Sequence, residues 1–442
     1  MIVEVLNIVN IVLSAIFMLC YAYQVFYIIV ACVKRPVSYP ETSKRGRYAF
    51  MISARNEENV ISQLCDCIKA QDYPSELVDI YVVADNCTDG TKRVAKEHGA
   101  IVYERFCKDR IGKGYALTFL FNNVKDRVGE DYYDGYFIVD ADNILEPNYV
   151  YEMNKSFFAG NRITIGYRNS KNYGDNWISA GYSLWFLRSS RQLNNARNIL
   201  GKSSEITGTG FLIHKDIIKS QGGWKHHLLI EDIEFTVDNV LHGERVAYCH
   251  DAILYDEQPT EFMQSFWQRK RWSRGYLQVL RDYAGKLIKG FFSGKGFSYY
   301  DMLMAISPAF FLTLAMMVIN FVFLAVTPII DINQFVPVLI SVIVTMLSAY
   351  LLFFALGLVT LISEWKKIRT STWKKLWSAI TFPLFMYTYL PITASSLFSS
   401  VEWKQIEHHP VDEKKIKTAV AISENQDLKE KSEENQSEHS LV

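Results

Sequence analysis

The hydrophobic positions of the chain form two different patterns. Four long runs contain no charged side chain, and each is long enough to cross a bilayer as a helix. Between the first and the second of these runs, short apolar stretches alternate with polar, helix-like segments. The sequence therefore predicts a membrane part and a soluble part in one chain. The four runs cover residues 5–33, 302–330, 332–363 and 376–401.

The alternating region predicts an α/β domain with a mainly parallel sheet. Strand-length apolar stretches separated by helix-like segments are typical of strand–helix units. Because ligands bind at the carboxyl ends of strands in an open α/β sheet, the polar residues after each stretch are the candidate site. The predicted strands cover residues 48–54, 80–84, 100–103, 136–139 and 211–213.

The fourth long run allows two interpretations. It contains Pro383 and Pro391, and prolines are tolerated in membrane helices only where neighbouring groups satisfy the freed backbone. The run is therefore either a further span or an interfacial or re-entrant segment.

The charges of the chain balance overall but are uneven around the first run. Lys and Arg together number 47, as do Asp and Glu, so there is no global basic field of the kind that binds nucleic acids. Glu4 precedes the first run, whereas Lys34, Arg35 and further basic residues follow it. The positive-inside rule then puts the next domain in the cytosol. The pattern predicts an integral protein of the cell membrane, with membrane lipids as partners.

These patterns divide the chain into five predicted segments. The tail is poor in large apolar residues, so it is predicted to be disordered. The segments are an N-terminal transmembrane anchor (1–35), a cytosolic α/β domain (45–258), amphipathic interfacial helices (259–300), a C-terminal membrane domain (301–402) and the tail (410–442).

Polar residues follow the first two predicted strands. Ala54, Asn56 and Glu57 end or follow the first strand, and Asp85 follows the second. Such residues often do no more than cap the next helix. The same groups are suited to hydrogen-bonding a base or a ribose, and their presence at two adjacent strand ends favours a nucleotide site.

Two carboxylates, Asp140 and Asp142, follow the fourth predicted strand. Their oxygens are suitable ligands for Mg²⁺ or Mn²⁺, which could bridge to a diphosphate. An Asx turn or a helix cap would use the same residues. Their position directly after an apolar strand favours the metal site.

Two further motifs lie downstream. Gly208, Thr209 and Gly210 precede the last predicted strand, where glycines either form a turn or let the backbone approach a sugar closely. Glu231 and Asp232 open a predicted helix. The helix dipole favours acidic residues there in any case, and a general base at the rim of a pocket would need the same features.

A basic helix precedes the second long run. Residues 261–289 combine aromatic side chains with many cations, as expected for a helix at a membrane surface. Gln268 and Arg271 are three residues apart and share a face, so Arg271 could point to a leaving diphosphate while Trp272 flanks a sugar. The neighbouring cations are expected to contact lipid headgroups; they are Arg269, Lys270 and Arg274.

Taken in order, these motifs resemble those of the membrane-integrated family 2 glycosyltransferases, the group that contains cellulose, hyaluronan and poly-N-acetylglucosamine synthases. The resemblance covers roughly residues 48–275 and the flanking apolar runs. It implies a GT-A (Rossmann-like) domain that faces the cytosol and transfers a sugar, by analogy N-acetylglucosamine, from a UDP-sugar to a growing polysaccharide with inversion. The matching motifs are Ser53-Ala54-Arg55-Asn56-Glu57, Asp85, Gly112-Lys113-Gly114, Asp140-x-Asp142, Gly208-Thr209-Gly210, Glu231-Asp232 and Gln268-x-x-Arg271-Trp272.

The resemblance also implies a role for each motif residue. Asp232 would be the general base that takes a proton from the acceptor hydroxyl, and Asp142 would ligate Mg²⁺ or Mn²⁺. The donor-binding residues would be Ala54, Asn56, Glu57, Asp85, Lys113 and Asp140. The residues that hold the acceptor and the diphosphate would be Gly208, Thr209, Gly210, Glu231, Gln268, Arg271 and Trp272.

Two features separate the chain from cellulose synthases. It has only three or four predicted membrane spans, depending on the fourth run, and it has no recognisable cyclic-dinucleotide domain or gating-loop motif. The alternative is therefore single-sugar transfer to a lipid acceptor, and a catalytically silent scaffold is a third hypothesis. Partner subunits are compatible with each. Residues 402–409 are predicted to be either a juxtamembrane anchor or a segment that closes over the site.

Overall fold

The structure, a computed structural model, describes residues 2–306, 308–398 and 408–410. The strands are β1 (Tyr48–Ala54), β2 (Val78–Asp85), β3 (Ile101–Arg105), β4 (Gly135–Asp140), β5 (Ile144–Leu145), β6 (Ile163–Ser170), β7 (Phe211–His214) and β8 (Val246–Asp256). The helices are α1 (Ile2–Val33), α2 (Ile61–Lys69), α3 (Thr91–Glu97), α4 (Lys113–Val128), α5 (Tyr149–Phe158), α6 (Trp177–Arg188), α7 (Asn195–Ile199), α8 (Lys215–Ser220), α9 (Glu231–Leu241), α10 (Phe262–Phe292), α11 (Phe297–Ile306), α12 (Pro308–Ile330), α13 (Phe335–Ser363) and α14 (Thr372–Phe398). A π-helical turn, Ser189–Asn194, joins α6 to α7.

The predicted α/β fold is confirmed, and its sheet has two halves that differ in strand direction. The order is β3-β2-β1-β4-β7-β6-β8-β5. Strands β3, β2, β1 and β4 are parallel and form the parallel half. In the mixed half, β7 runs antiparallel to β4 and β6, β6 and β8 are parallel, and β5 is antiparallel to β8. The sheet is mainly parallel, as predicted, and β7 and β5 are the strands that run against the others. Their direction could not be read from the sequence, because a short apolar stretch has the same pattern in either direction.

The register of the parallel half brings its polar strand ends together. Ile52 of β1 lies opposite Val82 of β2 on one side and Val139 of β4 on the other. One residue further on, Ser53 pairs with Asp140. The residues that follow these three strands therefore share one edge of the sheet.

Apolar side chains fill both faces of the sheet, which explains the unbroken apolar stretches of the sequence. Phe50 of β1 stacks on Phe137 of β4 on one face, with ring centroids 4.6 Å apart. On the other face, Met51 belongs to a buried cluster with Leu117 and Leu120 of α4. Helices on both sides fix the sheet, and the ends of its strands form a rigid base for the site.

Three helices among the described residues are long and apolar enough to cross a membrane: Ile2–Val33, Phe311–Ile330 and Ile332–Ser363. The predicted run 302–330 lies in α11 and α12, and residue 307, between them, lies outside the described part of the chain. Helix α14 continues through Pro383 and Pro391 and is not among the three. Of the predicted segment 402–409, residues 402–407 lie outside the described part of the chain, as does the predicted tail from 411 onward.

A buried polar cluster attaches α1 to the α/β domain. Arg197 of α7 donates two hydrogen bonds to the carboxylate of Asp301 in α11, at 2.7 and 2.8 Å. The hydroxyls of Tyr23 and Tyr27 in α1 donate to the same carboxylate. Asp301 is fully buried, so loss of Arg197 would leave its carboxylate without the cation that compensates its charge. The cluster holds three helices from distant parts of the sequence in one arrangement.

Candidate active site

Lys113 lies at the centre of the candidate site. Its Nζ donates to Asp140 Oδ1 at 2.6 Å and to the carbonyl oxygen of Gly208 at 2.8 Å, and it lies 3.7 Å from Glu231 Oε1. Burial acts to lower the pKa of Lys113, but the carboxylates of Asp140 and Glu231 outweigh it and raise that pKa. One ammonium group thus joins three motifs that are far apart in the sequence.

Asp140 and Asp142 differ in their surroundings although one residue separates them. The side chain of Asp140 is 34% exposed and faces Lys113. Asp142 is 5% exposed; its Oδ2 accepts a hydrogen bond from the backbone N–H of Glu257 at 3.0 Å, and its Oδ1 accepts one from Asn143 Nδ2 at 3.3 Å. The chain segment that follows β8 therefore holds Asp142, whereas Asp140 remains accessible to a ligand.

These carboxylates fit a divalent cation that is shared with a diphosphate. No group of three or more His, Cys, Asp or Glu side chains forms a metal site within residues 2–306, 308–398 and 408–410. Mg²⁺ usually binds one or two carboxylates and completes its shell with water and phosphate oxygens. The oxygen-only set of Asp140 and Asp142, beside a lysine, matches that mode of binding.

Two asparagines in the left-handed conformation follow β1 and β2. Asn56 has a φ of 56° and Asn86 a φ of 53°, a region that asparagine tolerates better than most residues. Asn56 Oδ1 accepts from the backbone N–H of Thr88 at 2.8 Å, which ties the two turns together. Ala54, Asn56 and Glu57 consequently lie at the same sheet edge as Asp85.

Asp85 is paired with Arg105 at the end of β3. Arg105 Nη1 lies 2.5 Å from Asp85 Oδ1, and both side chains are more than nine-tenths buried. Arg105 also donates to the carbonyl oxygen of Arg110 at 2.5 Å. Sequence reasoning missed Arg105; its signal is its position two residues after the end of the third predicted strand, because the other site residues also follow their strands closely.

Glu231 and Asp232 occupy the first turn of α9. Glu231 is buried and Asp232 is half-buried. Burial raises the pKa of both carboxyls, while the charges of Lys113 and Arg271 act in the opposite direction on both. Backbone N–H groups at the helix start also favour the ionised form of Asp232. Raised carboxyl pKa values next to two cations are a frequent property of catalytic sites.

Helix α10 brings Arg271 to this acidic turn. Arg271 Nη1 donates to the carbonyl oxygen of Leu229 at 2.7 Å, just before α9. The amide oxygen of Gln268 is buried and has no hydrogen-bond partner in the part of the chain that is described. The ring of Trp272 packs edge-on against Tyr182 of α6, with centroids 5.7 Å apart. Trp272 thus forms part of the apolar core next to the candidate site.

The expectation that the neighbouring cations contact lipid is wrong for Arg269 and Lys270. Arg269 is fully buried: its guanidinium donates to Thr388 Oγ1 at 2.6 Å and lies 4.5 Å from the ring centroid of Phe385, both in α14. Lys270 is only 4% exposed, whereas Arg274 is exposed. Helix α14 covers this face of α10, and a contact between segments so distant in sequence leaves no local pattern.

Two glycines of the predicted motifs are required by close packing. A Cβ atom on Gly114 would lie 2.1 Å from the carbonyl oxygen of His226, in the loop that leads to α9. Gly210 has a φ of +73°, and its Cβ would lie 1.8 Å from a Leu254 methyl group. Between Gly208 and Gly210, the Thr209 hydroxyl accepts from the backbone N–H of Asp140 at 2.8 Å. The glycine motif therefore brings the turn before β7 against the end of β4.

Sequence reasoning also missed a polar network next to the two aspartates. Asn143 directly follows Asp142, so its position in the sequence was a usable signal. Arg168 and Asp256 lie on β6 and β8, which were not predicted as strands, and nothing local indicated that they approach the site.

The mixed sheet with carboxylates and a lysine at its strand ends, covered by helices on both faces, defines a GT-A-like domain. A solved mannosyltransferase of Pyrobaculum calidifontis, in complex with GDP-Man and Mn²⁺, shares this fold with a TM-score of 0.52 and 16% identity, over 89% of this chain and 99% of that one. The model of the glycosyltransferase-like family 2 matches residues 45–275, which is 231 of 442 residues. The chain belongs to that family.

Two curated relatives are named for more specific activities than the family as a whole. The chain is 25% identical over 264 residues to a beta-monoglucosyldiacylglycerol synthase of Nostoc, covering 58% of this chain and 54% of the relative. It is 23% identical over 240 residues to the poly-beta-1,6-N-acetyl-D-glucosamine synthase of Staphylococcus aureus, covering 53% of this chain and 56% of the relative. The chain thus spans about half the length of the curated relatives it matches.

Proposed function

We propose that the chain is a membrane-bound inverting glycosyltransferase that transfers a sugar from a UDP-sugar to an acceptor hydroxyl. The observation that supports this most directly is the cluster around Lys113, in which Asp140 and Glu231 meet one ammonium group. A half-buried carboxylate, Asp232, lies in the adjoining helix turn. The cluster combines a cationic centre for a diphosphate with a carboxylate that can accept a proton.

In the proposed reaction the acceptor oxygen attacks the anomeric carbon as the bond from that carbon to the diphosphate breaks. Asp232 takes the proton of the acceptor hydroxyl, and the nucleoside diphosphate leaves with the bonding electron pair. Lys113 and Arg271 offset the negative charge that develops on the leaving group. Asp140 and Asp142 would hold Mg²⁺ or Mn²⁺, which neutralises diphosphate charge when bound.

The proposed location is the cell membrane, with the α/β domain in the cytosol. The three candidate spans and the basic residues after α1 support this orientation. A cytosolic domain would also have direct access to soluble nucleotide-sugars. The five-segment division of the chain remains a proposal on the same grounds.

The proposed acceptor is a growing polysaccharide, because Gln268, Arg271 and Trp272 form the motif that the chain shares with processive synthases. A lipid acceptor is the second candidate. The similarity to monoglucosyldiacylglycerol synthases favours it. N-acetylglucosamine is proposed as the sugar by analogy with the Staphylococcus relative.

The test is nucleotide release by the full chain in lipid nanodiscs. A panel of UDP-sugars, with GDP-mannose included, is supplied with Mg²⁺ or Mn²⁺, and the radiolabelled product is sized and extracted into organic solvent. We expect turnover with one donor, loss of turnover with EDTA, and loss in Asp232→Asn. A polymer supports the first acceptor and a single-sugar lipid product the second. No release with any donor, with both acceptor classes supplied, would contradict the enzyme hypothesis.

A further inference from the structure

Arg168 on β6 makes contacts that none of the predicted motifs accounts for. It is 8% exposed and its guanidinium binds the carboxylate of Asp256 at the end of β8, with Nε 2.9 Å from Oδ2 and Nη2 bonded to the same oxygen. Its Nη1 donates to the carbonyl oxygen of Thr207, which immediately precedes the glycine motif. The flat face of the guanidinium lies 3.6 Å from the ring centroid of Phe186 in α6. All three nitrogens and one face of this guanidinium therefore meet protein groups.

Asp256 extends these contacts to the predicted metal ligand. Asp256 Oδ1 accepts from Asn143 Nδ2 at 3.1 Å, and the same amide group donates to Asp142 Oδ1 at 3.3 Å. Asn143 Oδ1 accepts from the Thr209 hydroxyl at 2.5 Å. Asn143 and Thr209 are fully buried, and Asp256 is 4% exposed. A continuous hydrogen-bonded network therefore runs from Arg168 to Asp142 within the protein interior.

Through Thr207, the contacts of Arg168 also reach the turn that contains Gly208 and Thr209. By holding the Thr207 carbonyl, Arg168 fixes the start of the turn in which Gly208 accepts from Lys113 and Thr209 accepts from Asp140. The same guanidinium thus binds the residue next to the partner of Lys113, and three successive hydrogen bonds, through Asp256 and Asn143, connect it to Asp142. Partners that orient metal ligands from behind commonly control metal affinity.

We infer that Arg168 is a positioning residue for a metal–diphosphate ligand. Through Asp256 and Asn143 it orients Asp142, and through the Thr207 carbonyl it orients Lys113. The inference rests on the proposed function, because it assigns that ligand to the Asp140–Asp142 end of the site. Arg168 itself is separated from the ligand by this network, so it acts on binding through other residues.

The alternative is that Arg168 only stabilises the fold, and Arg191 provides the matched control. Arg191 lies in the π-helical turn after α6, and its Nε pairs with the buried carboxylate of Glu364 at 3.2 Å. Its partner Glu364 also accepts from the Tyr167 hydroxyl, and this ion pair shares no residue with the network that runs from Arg168 to Asp142. Arg168→Gln and Arg191→Gln each remove one arginine from a buried ion pair, so both are expected to lower the thermal unfolding temperature. Only the first is expected to change binding of a metal–nucleotide complex.

The measurement is Mn²⁺ binding by the full chain in nanodiscs, followed by electron paramagnetic resonance with UDP or GDP present. We expect Arg168→Gln to weaken nucleotide-dependent Mn²⁺ binding about 10- to 100-fold, Arg168→Lys to weaken it less, and Arg191→Gln to leave it unchanged. Equal binding by Arg168→Gln and the wild type would overturn the inference, as would equal losses in Arg168→Gln and Arg191→Gln. If Arg168→Gln does not fold, Arg168→Lys decides by the same comparison.

The same experiment separates this inference from the proposed function. If the wild-type chain fails to bind Mn²⁺ both with UDP and with GDP, the metal–diphosphate site itself is contradicted. A wild-type chain that binds Mn²⁺ with a nucleotide, together with an unaffected Arg168→Gln, would contradict only the role of Arg168.

Discussion

The parallel half and the mixed half of the molecule supply their site residues in different ways. In the parallel half, Asp85 and Asp140 are the last residues of β2 and β4, and backbone pairing sets their positions. On the side of the mixed half, Asp232 and Arg271 lie on α9 and α10, whose positions depend on side-chain packing. We therefore call Asp85 and Asp140 the proposed donor end, which the sheet positions, and Asp232 and Arg271 the proposed acceptor end, which helix packing positions.

Gly114 shows where the two ends meet. It lies in the first turn of α4, and the loop before α9 passes so close that only a glycine fits against the His226 carbonyl. Lys113, one residue earlier, spans the same boundary by contacting both Asp140 and Glu231. If the halves are separable, variants on one side should change binding and variants on the other should change turnover.

The largest effect is expected for Asp232→Asn. If Asp232 is the base, the amide removes proton acceptance and lowers kcat by about 100- to 10,000-fold, whereas UDP binding stays within about two-fold because the parallel half is unaltered. A quenched sugar-transfer assay measures kcat, and a UDP titration of the same sample measures UDP binding. Asp216→Asn, an exposed acidic residue in the first turn of α8, is the control. A parallel loss of UDP binding would show that the two ends are not separable.

Asp142→Asn is expected to have the converse effect. Loss of one carboxylate charge should weaken Mn²⁺-dependent UDP binding at least about ten-fold, while metal-free UDP binding changes little. Calorimetry with and without Mn²⁺ measures the difference. The control is Asp131→Asn, which alters a side chain that is 68% exposed. Unchanged metal dependence would exclude Asp142 as a ligand.

The sequence predicts the site residues at strand ends better than those that depend on packing between distant segments. The positions of Asp85, Asp140 and Asp142 follow from strand ends, a local pattern that one sequence contains. The burial of Arg269 does not, because its cover is α14, which is remote in sequence. The same holds for Arg168 and Asp256, whose strands lack a pattern that distinguishes them from other apolar stretches.

The glycosyltransferase motifs extended the prediction to helix-borne residues. Asp232 and Arg271 are predicted as site residues because the order of their motifs along the chain resembles that of a family. Their local sequence alone is equally compatible with a helix dipole and a basic surface helix. Packing decides between these interpretations, and packing depends on residues that are distant along the chain.

Two arginines of α10 test whether packing against the acidic turn of α9 is what gives Arg271 a role in turnover. Arg271 donates to the Leu229 carbonyl and lies near the acidic turn, whereas Arg274 is exposed. Arg271→Ala should cost about 1.5–3 kcal/mol in the transition state, about 10- to 150-fold in kcat/KM. Arg274→Ala should change kcat/KM by less than about three-fold. Similar losses in both variants would indicate a general surface-charge effect.

The smallest effect is expected in the pH dependence of kcat/KM. The proposed base must be ionised, and burial raises the pKa of Asp232 from the ordinary value of an aspartate. Activity should therefore fall as the pH is lowered through this raised pKa, so the acid limb lies at higher pH than for an exposed aspartate. Rates from pH 5 to 8.5, with donor well below KM, locate that limb.

Lys113→Gln sharpens this test because Lys113 couples the two ends of the site electrostatically. The lysine lowers the pKa of Asp232 and Glu231, so its removal should raise both values further. The acid limb should then move to higher pH, in addition to any uniform loss of donor binding, which changes the height of the profile without moving it. Lys125→Gln, in the same helix but 55% exposed, should leave the limb in place. A limb that stays fixed in Lys113→Gln would mean that the sheet edge and the α9 turn act independently, with the proton acceptor insensitive to the cation beside it.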